Sequence, residues 1–216
     1  MPPMKKNFWR WIVYLAGLLW VALPSFGQGR ISLDNYNVED YRPVTYGSSF
    51  DASLAGRGVF PGSPTGVTWT VGLYYALGDV TGSIANDPGG VGDPSTLGGG
   101  LALAFGAPGD TASHWESGLQ GIFDPPPSDA VIDGYTSGLI TVELVAYSGS
   151  SYDNSIMRGH SPPFTMTPIL ATGNSFAPKV GDYMPSFAVN IVPEPSVFAL
   201  AGIGSALFLF FRRKQV

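Results

Sequence analysis

The sequence predicts an all-β protein, a single antiparallel β-sandwich of the jelly-roll or immunoglobulin-like type with long Gly/Pro-rich loops. Two observations favour this class: short runs of alternating apolar and polar residues, and turn-dense stretches between them. A third is that no stretch between the chain ends has the apolar repeat of an amphipathic helix. We therefore expect about seven short strands, with one helical turn at residues 152–157.

The clearest strands are predicted at residues 66–77 and 137–147. In the first, GVTWTVGLYYAL, the side chains of Trp69 and Leu73 share one face because successive strand residues point to opposite sides. The second, SGLITVELVAY, alternates in the same way, and both are rich in β-branched and aromatic residues. Trp69 is therefore expected in the core rather than on a ligand-binding surface. Weaker strand candidates lie at residues 31–36, 101–105, 131–132, 164–169 and 186–192.

The amino-terminal segment, residues 1–27, is typical of a cleaved signal peptide. Basic residues precede an apolar run at residues 11–23, and Pro24 and small residues follow it. As a helix rising ~1.5 Å per residue, this run is too short for the ~30 Å hydrocarbon core of a membrane. The pattern predicts cleavage between Gly27 and Gln28, with the Sec translocon and signal peptidase as partners; an uncleaved anchor is the alternative.

The carboxyl-terminal segment, VPEPSVFALAGIGSALFLFFRRKQV, has a different pattern. Pro193 and Pro195 exclude a helix at the start, because proline lacks an N–H and restricts the residue before it. Residues 197–211 are apolar or small and predict a short transmembrane helix. A cation at the membrane centre costs about 2.5–3.5 kcal/mol, so a basic cluster ends the helix. That cluster is Arg212, Arg213 and Lys214.

This order of Pro-Glu-Pro, apolar helix and basic cluster resembles a PEP-CTERM sorting signal. The resemblance implies that Pro193, Glu194 and Pro195 are recognised by an exosortase, a membrane protease-transpeptidase, and that the tail is removed during export. It implies a Gram-negative-type bacterium, an inner-membrane stage, and then the cell surface or an exopolysaccharide or biofilm matrix. The chain divides accordingly into a signal peptide (1–27), a β-sandwich domain (28–192) and a sorting signal (193–216). A permanent single-span anchor is the alternative.

The middle of the chain is also similar to a passenger type seen with such signals in Verrucomicrobia-like bacteria. The shared pattern is a Leu73-Tyr74 strand, a later strand ending at Ala146-Tyr147, and then Ser161 and Phe164. The pattern has tryptophan where this chain has Tyr147, another large amphipathic aromatic. That passenger type implies no particular activity.

Charge and cysteine content restrict the function of the predicted domain. Between residues 28 and 192 there are 5 basic and 15 acidic side chains, a formal charge of −10. Such a surface repels nucleic acid and anionic lipid. The chain has no cysteine, so an exported domain must rely on its core rather than on disulfides.

The sequence contains no recognisable catalytic motif. Its two histidines, His114 and His160, stand in no known signature, and SHWESG at residues 113–118 places neighbouring side chains on opposite faces. Zinc is not expected without cysteine and with histidines so far apart. Calcium remains an alternative because it takes oxygen ligands from loops. The loop carboxylates that could supply them are Asp87, Asp93, Asp124 and Asp129.

We therefore predict a non-enzymatic, exported surface or extracellular-matrix protein without a cofactor, associated with exopolysaccharide. One alternative is a carbohydrate-binding module, in which Trp115 in a polar loop would contact a sugar ring. Another is a small secreted hydrolase that uses a chance pair of carboxylates.

Overall fold

The structure is a computed structural model of the chain, and it describes residues 28–36, 42–59, 67–105, 120–123, 129–170 and 176–192. Within these ranges the chain forms strands, two short 3-10 helices and no α-helix. The strands are β1 (Gly29–Ile31), β2 (Val44–Tyr46), β3 (Thr70–Leu77), β4 (Ala102–Phe105), β5 (Ala130–Ile132), β6 (Ile140–Tyr147), β7 (Met157–His160), β8 (Phe164–Met166), β9 (Ile169–Leu170) and β10 (Phe187–Ile191). The 3-10 helices are Thr81–Ser83 and Val180–Asp182.

The strands form two sheets. Three strands pair in the order β5-β1-β9, and the larger sheet has the order β2-β10-β7-β6-β3-β4, with β8 paired to one end of β6. All pairs are antiparallel except β2 with β10, which run parallel. The all-β class predicted from sequence is confirmed, and the two sheets are consistent with a β-sandwich. The choice between jelly-roll and immunoglobulin-like connectivity stays a prediction.

The main core lies between the two sheets. Ile31 and Ile132 from the smaller sheet and Trp69, Val71 and Leu144 from the larger side are all fully buried in one apolar cluster. Burying a large aliphatic side chain stabilises the fold by about 1.5–3 kcal/mol. The main core therefore depends on the alternation visible in the sequence.

Alternation placed the two long strands correctly. The predicted segment 66–77 contains β3 and the predicted segment 137–147 contains β6, which pair over their full length from Thr70↔Tyr147 to Leu77↔Ile140. The predicted faces are also confirmed, since Leu73 lies in the main cluster while its neighbour Tyr74 lies in a second one.

The weaker predictions needed more correction. The single strand predicted at residues 164–169 is two strands, because the chain leaves β8 beside β6 and joins the other sheet as β9 beside β1. Pro168 lies between them and has no N–H to donate to a ladder. The helical turn predicted at residues 152–157 is wrong. A tight turn closed by the Ser155 N–H and the Tyr152 carbonyl (3.2 Å) leads there into β7.

The second face of the larger sheet is also covered. Residues 78–101, which we call the cover loop, return across it from β3 to β4. The cover loop contributes Leu101, with Val80 and Ile84 packed alongside, to a second apolar cluster that includes Tyr147 and Tyr152. Polar side chains of β6 and β7 are therefore buried beneath it.

Candidate functional site

A pocket of about 390 Å³ lies on this covered face, between the cover loop and the ends of β7 and β10. Its size falls in the range of about 300–1,000 Å³ that is typical of small-molecule sites. Three ionisable side chains line it: Asp87 from the cover loop, Glu143 from β6 and His160 from β7. The apolar wall is formed by Ile84, Pro88, Pro162, Pro163 and Phe187.

Glu143 lies at the buried side of the pocket. It alternates with Val142 and Leu144, which enter the main core, so its side chain points to the covered face opposite Tyr74 of β3. Its side chain is fully buried, and neither carboxyl oxygen has a hydrogen-bond partner among the described residues. Burial raises the pKa of the Glu143 carboxyl to about 7, although the nearby His160 ring acts in the opposite direction. This carboxyl is therefore partly protonated near neutral pH.

His160 stands diagonally across from Glu143, because His160 pairs with Val145 in the β6–β7 ladder. Its Nδ1 lies 2.8 Å from the carbonyl oxygen of Ser161 and 3.5 Å from the Oε2 atom of Glu143. Its Nε2 lies 3.1 Å from the Oδ2 atom of Asp87. Only the doubly protonated imidazolium can donate to Ser161 and Asp87 at the same time.

Asp87 organises the cover loop around this ring. Its carboxylate accepts hydrogen bonds from the backbone N–H groups of Gly89 (3.2 Å), Val91 (2.9 Å) and Gly92 (2.6 Å). It also accepts one from the His160 ring. Burial alone would raise the pKa of Asp87, but the hydrogen bonds from Gly92 and His160 outweigh it and lower that pKa. Asp87 is therefore an ionised acceptor whose capacity is used within the protein.

Hydrogen bonds to backbone carbonyls of the cover loop hold it against β7 and β10. The His160 N–H donates to the Gly90 carbonyl (2.7 Å), the Arg158 Nε donates to the Val91 carbonyl (2.8 Å), and Asn190 Nδ2 donates to the Gly89 carbonyl (3.2 Å). Gly90 has a φ of +59°, and a Cβ there would lie 3.2 Å from the His160 carbonyl oxygen. The turn at this point therefore requires glycine.

We expect Asp87→Ala to lower the free energy of unfolding by about 1–3 kcal/mol, because it leaves the part-buried N–H groups of Val91, Gly92 and the His160 ring without an acceptor. The measurement is urea unfolding followed by circular dichroism. Asp79→Ala is the matched control, since exposed Asp79 accepts hydrogen bonds only from neighbouring Thr81. Equal losses in the two variants would show that Asp87 does no more than cap its own turn.

The structure separates the candidate residues that the sequence suggested. Asp93 accepts hydrogen bonds from Ser95 in its own turn, and Asp129 pairs with Arg30 at 3.3 Å. No group of three His, Asp or Glu side chains suited to a metal ion occurs among the described residues. Calcium binding stays a prediction. Candidates outside the described residues are Ser113, His114, Trp115, Glu116, Asp124, the signal-cleavage residue Gly27, the motif Pro193, Glu194 and Pro195, and the basic cluster Arg212, Arg213 and Lys214.

Sequence reasoning missed the grouping of Asp87, Glu143 and His160. One signal was present: Glu143 is the only charged residue in the strand ITVELVAY. A carboxylate in such a strand is seldom buried without a partner. The identity of its neighbours was not readable, because Asp87 and His160 are 73 positions apart in the chain.

Residues 192–214 match the family model for the PEP-CTERM protein-sorting motif. The match begins one residue after β10 ends and includes Pro193, Glu194 and Pro195 and the basic cluster at residues 212–214. The chain therefore carries a PEP-CTERM sorting motif, and the motif indicates an exosortase-sorted protein that is exported to the surface or the extracellular space. Searches of curated proteins and of solved structures found no match.

The part of the chain that the structure describes contains no helix with the length and hydropathy needed to cross a membrane. The transmembrane helix predicted at residues 197–211 and the signal peptide predicted at residues 1–27 lie outside that part. Both stay predictions, as does the division of the chain into three segments.

Proposed function

We propose that this protein is a non-enzymatic component of the cell surface or extracellular matrix, sorted by an exosortase and associated with exopolysaccharide. The observation that carries the proposal is the PEP-CTERM motif at residues 192–214. On export, the Sec translocon carries the chain across the inner membrane, signal peptidase cuts after Gly27, and the tail holds the chain at the membrane until an exosortase acts.

The position of the motif supports this route. The last strand, β10, ends at Ile191 and pairs with both β2 and β7, so the sheet is completed before the Pro-Glu-Pro residues. Removal of the segment after the motif takes away no strand of the described sheets. The formal charge of −10 between residues 28 and 192 also favours neutral glycans over anionic partners.

The geometry around His160 supports a non-enzymatic role. A catalytic histidine needs a ring nitrogen in contact with the group that it activates. Here both ring nitrogens face acceptors that the protein supplies, Asp87 and the Ser161 carbonyl oxygen. Asp87 in turn binds its own loop.

Replacing Pro193, Glu194 and Pro195 together with alanine is expected to abolish sorting, because the replacement removes the residues read by the exosortase. The altered protein should accumulate in the membrane fraction at the mass of residues 28–216, with its tail still attached, while the unchanged protein is released from that fraction. Fractionation and immunoblotting measure this, and Ser196→Ala, next to the motif, is the matched control. Unchanged processing and location of the triple variant would refute exosortase sorting.

A second candidate function, a carbohydrate-binding module, is favoured by the pocket beside Glu143. Such a module would give the association with exopolysaccharide a defined contact within the described domain. The contact predicted for Trp115 would add to it.

A further inference from the structure

The Glu143 carboxyl is buried in the pocket without a hydrogen-bond partner among the described residues. Buried polar atoms are nearly always hydrogen-bonded, and a group that is not usually serves a ligand, an ordered water or a strained state. Both Glu143 oxygens lack a hydrogen-bond partner among the described residues, although the side chain is fully buried and lines the pocket. Both oxygens are also closed to solvent, so a molecule that enters the pocket pairs with them only where the lining side chains move aside.

The other two ionisable groups are already engaged. Asp87 accepts four hydrogen bonds from the protein, and both ring nitrogens of His160 face protein acceptors. Glu143 is consequently the one of these three groups with unused hydrogen-bonding capacity, although its Oε2 atom lies 3.5 Å from the Nδ1 atom of His160. Asn86 and Ser186 are exposed side chains among its lining residues.

The charges around Glu143 decide which ligand class fits. Four titratable groups lie near the Glu143 carboxyl: His160, Asp87, Tyr74 and Tyr152. An anionic ligand would meet the two carboxyl groups, and a cationic one would meet the His160 ring, whose Nδ1 atom lies 3.5 Å from the Oε2 atom of Glu143. A hydroxyl group both donates and accepts, so it can pair with Glu143 whether that carboxyl is ionised or protonated.

The remaining lining suits the same class. Pro88, Pro162, Pro163 and Phe187 offer apolar surface against which the C–H groups of a sugar ring can pack. We propose that this pocket binds a neutral sugar unit, with two neighbouring hydroxyl groups directed at the two oxygens of Glu143. This inference rests on the proposed association with exopolysaccharide and gives that association a site.

The test uses the full chain, purified in a detergent without a sugar headgroup. Glucose, galactose and N-acetylglucosamine are titrated by calorimetry, with glucosamine as a cationic probe and glucuronate as an anionic probe. At least one neutral sugar is expected to bind more tightly than either charged probe. NMR signals of the His160 ring should shift during the same titration.

Glu143→Leu is expected to weaken neutral-sugar binding at least tenfold, because it replaces the two acceptor oxygens with an apolar side chain of similar size. Glu143→Gln keeps a hydrogen-bonding head and should retain part of the affinity. Asp133→Asn, in the turn after β5, is the control and should bind as the unchanged protein does. Circular dichroism confirms that each variant is folded.

Three results would overturn the inference: no neutral sugar binds, glucosamine or glucuronate binds best, or Glu143→Leu binds as well as the unchanged protein. Co-sedimentation with purified exopolysaccharide separates this failure from failure of the proposed function. If the unchanged protein and Glu143→Leu sediment equally, the association survives and the pocket is not its site. If the unchanged protein stays in solution, the proposed association is itself wrong, and with it the inference.

Discussion

Trp69→Ala is expected to lower the free energy of unfolding by about 3–5 kcal/mol, the range for deleting a large buried aromatic side chain. Trp69 is fully buried in the main core, one residue before β3 begins. Its ring meets that of Tyr46 edge to face, with centroids 6.0 Å apart. Truncation removes this contact and leaves a cavity between the two sheets.

Urea unfolding monitored by circular dichroism measures the loss. Leu77→Ala is the matched control, because Leu77 is the last residue of β3 and has 51% of its surface exposed. Its substitution should change stability by about 0.5 kcal/mol or less. A loss below about 1 kcal/mol for Trp69→Ala would contradict a core role and leave Trp69 available for ligand stacking.

Glu143→Gln is expected to stabilise the protein at pH 8 by on the order of 3 kcal/mol and to change little at pH 5. The pKa of Glu143 is raised from 4.5 to about 7 in the folded protein, mainly by burial. The folded state therefore holds a proton that the unfolded state has lost across that interval. The contribution of Glu143 to the free energy of unfolding is fully present below pH 4.5 and is lost as the pH rises through 7. Glutamine does not titrate, so the variant does not show this loss.

The measurement is the free energy of unfolding of both proteins at intervals from pH 5 to pH 8. Both keep His160, so the difference between their curves reports on Glu143. Asp87 contributes in the other direction and in another window, because its lowered pKa makes its stabilisation fade only as the pH falls into the acid range. Parallel curves from pH 5 to pH 8 would contradict a buried, titrating Glu143.

The sequence predicted the strands whose formation depends on the pattern of neighbouring residues. The strands β3 and β6 are long enough for the two-residue period to be read, and their apolar faces meet in the main core. The strands β2 and β7 were missed because VTY and MRGH are too short to show a period, and the latter contains Arg158, Gly159 and His160. β2 depends on pairing with β10, which lies far along the chain, and β7 lies between β6 and β10.

The candidate site shows the same division. The sorting motif is read in sequence order, so Pro193, Glu194 and Pro195 could be recognised without a structure, and the family match at residues 192–214 spans them. The pocket exists only after the cover loop crosses the sheet and brings Asp87 to His160. Long-range pairing of this kind leaves no local pattern. The one sequence feature that indicated the pocket was Glu143, a single charged residue in the strand ITVELVAY.

Export followed by removal of the tail is tested most directly by intact-mass spectrometry of the protein recovered from outside its own cells. The expected mass corresponds to a chain that begins at Gln28 and has lost residues 197–216. A mass that retains the apolar segment and Arg212, Arg213 and Lys214 would contradict this and leave a protein permanently tethered in the membrane.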